Sequence, residues 1–176
     1  MSRTNPWKQK PRHTRHTTLI VVEGDTELVL VNYLKALCGR NCGTKVTPEN
    51  AHGGSGDVVL KLAIKLCKAY DARACLYDTD RAPETKKYIR KAKQLGIQEI
   101  KSTPCIEALL LEILEEKVPA STEECKRAVQ RIAGDDSLTE IATFEKYFPQ
   151  DLIQRRKLEV SQLGALMGLI NRNEKT

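Results

Sequence analysis

Leu19–Leu37 reads LIVVEGDTELVLVNYLKAL, and its first residues decide how the rest of the chain is organised. Leu19 to Val22 is continuous, apolar and β-branched, the pattern of a strand buried on both faces. It ends on a carboxylate, Glu23, with Gly24 directly behind. Asp25 or Thr26 can then cap a helix whose inner face is Leu28, Val31, Leu34 and Leu37 or Cys38, with Gly39 as its stop. A glycine after a strand-ending acid keeps the turn free of a side chain, so a phosphate or metal can approach the backbone. The helix N-terminus offers unpaired N–H groups to the same spot. Glu27 lies in the first helical turn, where the helix dipole alone favours an acid and where it could also reach a second metal.

The strand–helix alternation continues outward from this unit. Thr44–Val46 is a weak strand candidate, followed by the loop ENAHGGSGD. A helix from about Asp57 to Tyr70 would turn Val58, Val59, Leu62, Leu66 and Tyr70 inward. RACLYDTD is a second buried strand ending in acid, PETKKYIRKAKQLG a polar helix closed by Gly96, and IQEIK a short strand. Strands linked by helical crossovers predict a parallel sheet covered on both faces. After Lys101 the pattern is helical only: STPCIEALLLEILEE, STEECKRAVQRIAG, SLTEIATFEKYF and VSQLGALMGLINR. The expected organisation is a basic tail over 1–18, an α/β core over 19–118, and a helical portion over 119–176 packed on that core.

Composition fits this reading. The chain has 176 residues, 40% of them hydrophobic, which suits one ordinary globular core. No apolar run could span a bilayer, and the basic N-terminus lacks the apolar stretch of a secretory signal, so a cytoplasmic protein without membrane association is expected. Six cysteines form no CxxC pair and lie mostly in apolar patterns, which predicts buried, reduced thiols rather than zinc ligands or disulfides. Net charge is +6, and residues 1–18 hold five basic side chains (Arg3, Lys8, Lys10, Arg12, Arg15) with no acid, leaving the remainder nearly neutral. Such a tail is either an arm that touches phosphates or a solubilising terminus.

The acids carry the chemistry. In an extended segment, residues i and i+2 project to one side, so Asp78 and Asp80 can converge. Open parallel sheets place their sites beyond the carboxyl ends of strands, where Glu23 would join them if the two strands are neighbours. Clustered carboxylates repel unless a cation joins them, and hard oxygen ligands favour Mg²⁺ or Mn²⁺. The structural alternative is that one aspartate caps the next helix and the other is solvated.

VVEGDTE followed by YDTD resembles the TOPRIM domain, the acidic Rossmann-like unit of topoisomerases, primases and OLD nucleases. IVVEGDTELVLVNYL, HGGSGD, LYDTDR and STPCIEALLLEIL together resemble the RloB-like proteins over roughly residues 19–115. The resemblance implies a TOPRIM-like, Rossmannoid α/β fold and a metal-dependent nuclease of restriction or phage-defence loci. It implies Glu23 as metal ligand or acid–base group, Asp78 and Asp80 as metal ligands, Glu27 as the second acid, and Glu107 as the acid of the S-x-PC-x-E segment. Nucleic acid is the implied partner, with a protein of the same defence system as a second candidate. Ile106 and Ala108–Leu109 depart from the aromatic residues usual around Glu107, and the chain beyond about Pro119 does not align.

Arg81 could contact a substrate phosphate or pair with Asp78. Lys86, Lys87, Arg90, Lys91 and Lys93 make either a phosphate-binding row or a solvated helix face. His52 and Ser102 fall near the same sheet edge; the first could contact substrate, the second coordinate or cap. Two rival functions remain on sequence grounds. One is a non-catalytic module that binds nucleic acid or a protein partner. The other is a D-x-D phosphatase, with GDD at Gly134–Asp136 as its late acidic motif, although such enzymes carry D-x-D on the first strand.

Overall fold

The computed structural model describes residues 16–38 and 43–171. Four parallel strands form the sheet: β1 (His16–Val22), β2 (Thr44–Asn50), β3 (Ala72–Asp78) and β4 (Gln98–Ser102), in the order β2-β1-β3-β4. β1 is central, with Val22 opposite Asn50 on one side and Leu76 on the other. Leu19 to Val22 are fully buried because helices cover both faces of a central parallel strand. The fold is α/β, a parallel sheet flanked by helices, as the strand–helix alternation predicts.

The connections decide where a site can form. The helix α1 (Asp25–Cys38) packs Leu30, Val31 and Leu34 against Ile20, Val22, Ala74 and Leu76 on one face. The helices α2 (Gly56–Leu66) and α3 (Lys86–Gln94) cover the other, with Val59, Leu60, Ala63 and Ala92 on Leu19, Val21, Cys75 and Tyr77. The chain leaves β1 toward β2 on one side and returns to β3 on the other. In open parallel sheets such a reversal is where ligand crevices form, which here falls at the carboxyl ends of β1 and β3.

The α1 face is completed from the C-terminal third. It contains α4 (Ile106–Ile113), α5 (Thr122–Ala133), α6 (Ile141–Tyr147), α7 (Gln150–Arg156) and α8 (Ser161–Ile170). Phe144, Phe148, Ile153, Leu163 and Leu166 share one apolar cluster with Ile20, Leu34 and Leu76. Tyr33 of α1 donates to the carbonyl of Phe148, tying the two portions together. Phe144→Ala in this fully buried position should cost about 3–5 kcal/mol.

The structure corrects several expectations. His16–Thr18 belong to β1 rather than to the tail, and the Thr18 hydroxyl donates to Leu169 O at 3.2 Å. The remainder of the tail, Cys42 and the expected Gly39 stop lie outside the described residues. β2 extends to Asn50; as an edge strand it carries polar residues and Pro48, which mask its length. α2 buries Val59, Leu60 and Ala63 while Val58 is 42% exposed, since its nearly continuous apolar sequence leaves the helical phase undecided. α2 also stops at Leu66, followed by a 3₁₀ turn over Cys67–Ala69. The described cysteines are free, four of them buried. Among the described residues no helix is long and apolar enough to cross a membrane.

Candidate metal centre

Glu23 follows β1 immediately, and its backbone is fixed from both sides. Its N–H donates to Leu76 O at 3.1 Å, and its carbonyl accepts from Gly53 N at 2.7 Å. The side chain turns inward, 8% exposed, and Oε2 accepts the Asp78 N–H at 3.1 Å. Burial raises its pKa, the Asp78 N–H opposes this, the Asp80 charge raises it further and Arg81 lowers it.

Gly24 has a different use from the one expected. A Cβ there would lie 3.2 Å from Glu27 Oε2, so the space above the glycine is occupied by the Glu27 carboxylate rather than left open for a ligand. Glu27 is 4% exposed, and burial pushes its pKa up to about 7, with Glu23 and Glu107 adding to the rise.

Asp78 is the last residue of β3. Its pKa is pushed up to about 8, first by burial and then by the charges of Glu27, Glu23, Asp80 and Glu107. Its Oδ1 is buried without a hydrogen-bond partner. Asp80 does not share a strand face with it, because the strand ends at Asp78 and Thr79–Arg81 form a 3₁₀ turn. The turn nevertheless keeps the Asp80 charge near both Glu23 and Asp78. Asp80 is exposed; its N–H donates to Pro104 O at 3.1 Å and its Oδ2 accepts from Thr122 Oγ1 at 2.8 Å.

The far wall comes from β4 and α4. Ser102 pairs with Asp78 across β3 and β4, is fully buried, and its Oγ lacks a partner. Glu107 stands in the first turn of α4 with Oε2 buried and unpartnered, and it adds to the rise that burial gives the Cys105 thiol pKa. Buried polar atoms in folded proteins are normally paired, and three of the four orphans among the described residues lie on these neighbouring strand and helix ends, the fourth being Arg156 Nε. Those three are oxygens, the donor type that suits Mg²⁺ or Mn²⁺. The carboxylates are close enough to shift one another's protonation. Even so, among the described residues no three His, Cys, Asp or Glu side chains stand together as a preformed metal cage.

No family model, no curated protein and no solved structure matches the chain. Its own geometry is what speaks to its chemistry.

The basic residues divide. Arg81 is exposed beside the centre, where its charge lowers the Glu23 pKa. Lys86, Lys87, Arg90 and Lys91 lie on α3, which starts beyond the carboxyl edge and runs back along the opposite face. Lys87, Arg90 and Lys91 line a groove of about 480 Å³ with Ile64 of α2, and that groove contains none of the five carboxylates. His52 is exposed in a left-handed conformation, φ 58°, while its N–H donates to Asn50 Oδ1 at 2.7 Å. Asp136 of the GDD segment is met by Lys146 and Tyr147 instead of joining the centre. A groove of about 1160 Å³ beside α5 also lies away from these five carboxylates. Thr122 escapes sequence reasoning as an Asp80 partner. The STEE capping pattern, in which Ser121 Oγ accepts from Glu124 N at 3.3 Å, locates the helix start but not its neighbour.

Proposed function

We propose that the protein is a Mg²⁺- or Mn²⁺-dependent phosphodiesterase acting on nucleic acid, a TOPRIM nuclease of the RloB-like kind. One observation carries the reading. Glu23, Glu27, Asp78, Asp80 and Glu107 meet electrostatically at the carboxyl-edge crevice, with orphaned oxygens on Asp78, Glu107 and neighbouring Ser102. Asp78, Asp80, Glu27 and Glu107 would hold the cation, with Glu23 between ligand and base. When bound, a divalent cation neutralises phosphoryl charge and supplies Lewis acidity.

The chain's own groups do the rest. Glu23, buried and held by the Asp78 N–H, has a raised pKa that suits a carboxylate taking a proton from an attacking water near neutral pH. Arg81 faces substrate phosphate from the exposed rim. Lys86, Lys87, Arg90 and Lys91 contribute sequence-independent attraction for the backbone beyond it. The role in phage defence, the partner protein and a cytoplasmic location rest on the resemblance and the sequence alone.

A second reading, a non-catalytic binding module, is favoured by the lack of a preformed cage among the described residues. The deciding experiment is Mn²⁺ titration calorimetry joined to cleavage assays on labelled DNA, total RNA and tRNA. Saturable Mn²⁺ binding with metal-dependent cleavage of one substrate supports the enzyme. Nucleic-acid binding without Mn²⁺ binding or cleavage supports the module. Hydrolysis of p-nitrophenyl phosphate that survives Glu23→Gln would instead indicate a D-x-D phosphatase.

A further inference from the structure

The helix layer made by α2 and α3 turns a row of uncompensated cations outward. Lys61 and Lys65 of α2, and Lys68 of the turn after it, are exposed. On α3, Lys86, Lys87, Arg90, Lys91 and Lys93 are exposed as well. Residues 58–70 and 85–98 hold no acid. None of these cations forms an ion pair among the described residues. Three acids at the borders have other partners: Asp57 accepts from Thr85, Asp71 from Thr17, and Glu99 from Tyr77 and Lys101. Elsewhere the balance is reversed, because outside these two segments residues 16–176 carry sixteen basic side chains against twenty-three acidic ones.

Between the two helices runs the groove of about 480 Å³, with Lys87, Arg90 and Lys91 on one side and Ile64 on the other. Lys61 and Lys68 stand about one turn before and after Ile64, so cations flank the groove from both helices. The placement costs the helices stability. Like charges three and four residues apart repel, and Lys86 and Lys87 occupy the first turn of α3, where the macrodipole disfavours a cation. A polyanion lying on this face would relieve both costs.

We propose that the α2–α3 face binds the phosphate backbone of a nucleic-acid duplex, with Lys61, Lys65 and Lys68 as contacts separate from the carboxylate centre. The duplex as substrate rests on the phosphodiesterase reading above; the face rests on its own charge. Lysine binds phosphate as a point charge and is depleted at protein–protein interfaces. The ring that lines the groove, Tyr88, is half-buried and packs on the core beneath, so it gives a base no open platform for stacking. A duplex keeps its bases inside and presents about one charge per 1.7 Å of axis. Lys61 to Lys68 covers about 10 Å at the helical rise, a length over which a duplex offers about six charges.

The test uses the full chain in EDTA, so that no cleavage intervenes. Fluorescence anisotropy follows binding to labelled duplexes of two unrelated sequences, to their single strands and to phosphatidylserine vesicles, over a range of salt. Both duplexes should bind equally, and more tightly than the single strands or the vesicles. Lys61→Gln, Lys65→Gln and Lys68→Gln together should lower the salt slope by about 2.7, which is about 0.9 for each phosphate released. The three side chains are exposed, so the fold should persist, and arginine at all three should keep the full slope. Removing the same charge elsewhere, by Lys117→Gln, Lys126→Gln and Arg131→Gln, should leave the slope unchanged. Equal losses from the two triple variants, an unchanged slope in the first, or tighter binding to single strands or vesicles would overturn the proposal. The expected duplex binding in a protein that neither binds Mn²⁺ nor cleaves would uphold the face and sink the phosphodiesterase reading. Mn²⁺-dependent cleavage with an unchanged slope in the first triple variant would do the reverse.

Discussion

The two ends of the sheet treat their carboxylates in opposite ways. At the amino end, Asp71 lies just before β3 and receives the Thr17 N–H at 2.8 Å, the Thr17 hydroxyl at 2.7 Å and His16 Nδ1 at 3.4 Å. Its pKa is lowered, chiefly by the Thr17 hydrogen bonds. At the carboxyl end, Asp78 has an oxygen with no partner and acids for neighbours, and its pKa rises to about 8. Supplying an acid with donors stabilises its charge and the fold. Crowding acids together and burying them destabilises their charged state, a cost that a bound cation would relieve.

The contrast can be broken most sharply by chemistry. Glu23→Gln keeps shape but removes basicity, so cleavage should fall by roughly 10²–10⁴ while nucleic-acid binding persists. Asp71→Asn, which removes an equal charge at the other end, should leave the rate unchanged. A labelled-oligonucleotide rate comparison decides it, and equal rates for wild type and Glu23→Gln would end the catalytic assignment.

Metal binding is the next test. Asp78→Asn with Asp80→Asn should abolish Mn²⁺ binding in calorimetry without unfolding the protein; unchanged affinity would refute the ligand set.

Stability against pH should then separate the ends. Folded Asp78 keeps its proton up to about pH 8, whereas an unfolded aspartate loses it at about pH 4. The native state binds more protons across that window, so this group's contribution is fully present below about pH 4 and is lost as pH rises through about 8. Glu27 adds the same trend, its contribution being lost as pH rises from the unfolded value to about 7. The apo protein should therefore gain at least about 1.4 kcal/mol from Asp78→Asn at pH 8, the worth of one pKa unit. Asp71 has the opposite sign: its stabilisation is present above the unfolded pKa and disappears as pH falls through the lowered one. Urea melts at pH 4, 6 and 8 would show it, and a pH-independent Asp78→Asn effect would contradict the burial argument.

The smallest effect expected is electrostatic. Replacing Lys86, Lys87, Arg90 and Lys91 by Ala should weaken nucleic-acid binding evenly across sequences. Its salt slope should fall by about 0.9 for each phosphate that is no longer neutralised. Deleting residues 1–15 should act likewise. The cut stops before His16, because Thr17 is engaged with Asp71. Binding with an unchanged salt slope would assign either segment to solubility alone.

The features legible in the sequence are those written as continuous patterns. β1, α1 and β3 announce themselves because a central parallel strand is apolar throughout and a crossover helix has one apolar stripe. β2 reads short because an edge strand takes its pairing from backbone on one side only, leaving its side chains free to be polar. The phase of α2 is hidden because nearly every residue from Val58 to Leu66 is apolar or lysine. The period-two argument for Asp78 and Asp80 fails at the strand end, although the turn that replaces the strand keeps both charges near Glu23. Ser102 beside Asp78, and Thr122 on Asp80, depend on which strands and helix starts become neighbours. No local pattern encodes that.

Gly56 begins α2 so close to the segment after Asp80 that a Cβ would meet Pro83 Cδ at 2.5 Å. The next residue, Asp57, accepts from the N–H of Thr85 at 3.1 Å and from its hydroxyl at 2.9 Å. This clasp fastens the two crossovers of one face and touches no reacting group. Its bearing is on folding: a variant that lost the Glu23 and Asp78 carboxylates would still require Gly56 and Asp57 to fold. A deep mutational scan scored for folding would show intolerance at 56 and indifference at 78, and the same scan scored for cleavage would show intolerance at both. The GD of HGGSGD thus answers to the packing of the fold, and the carboxylates at 23 and 78 do not.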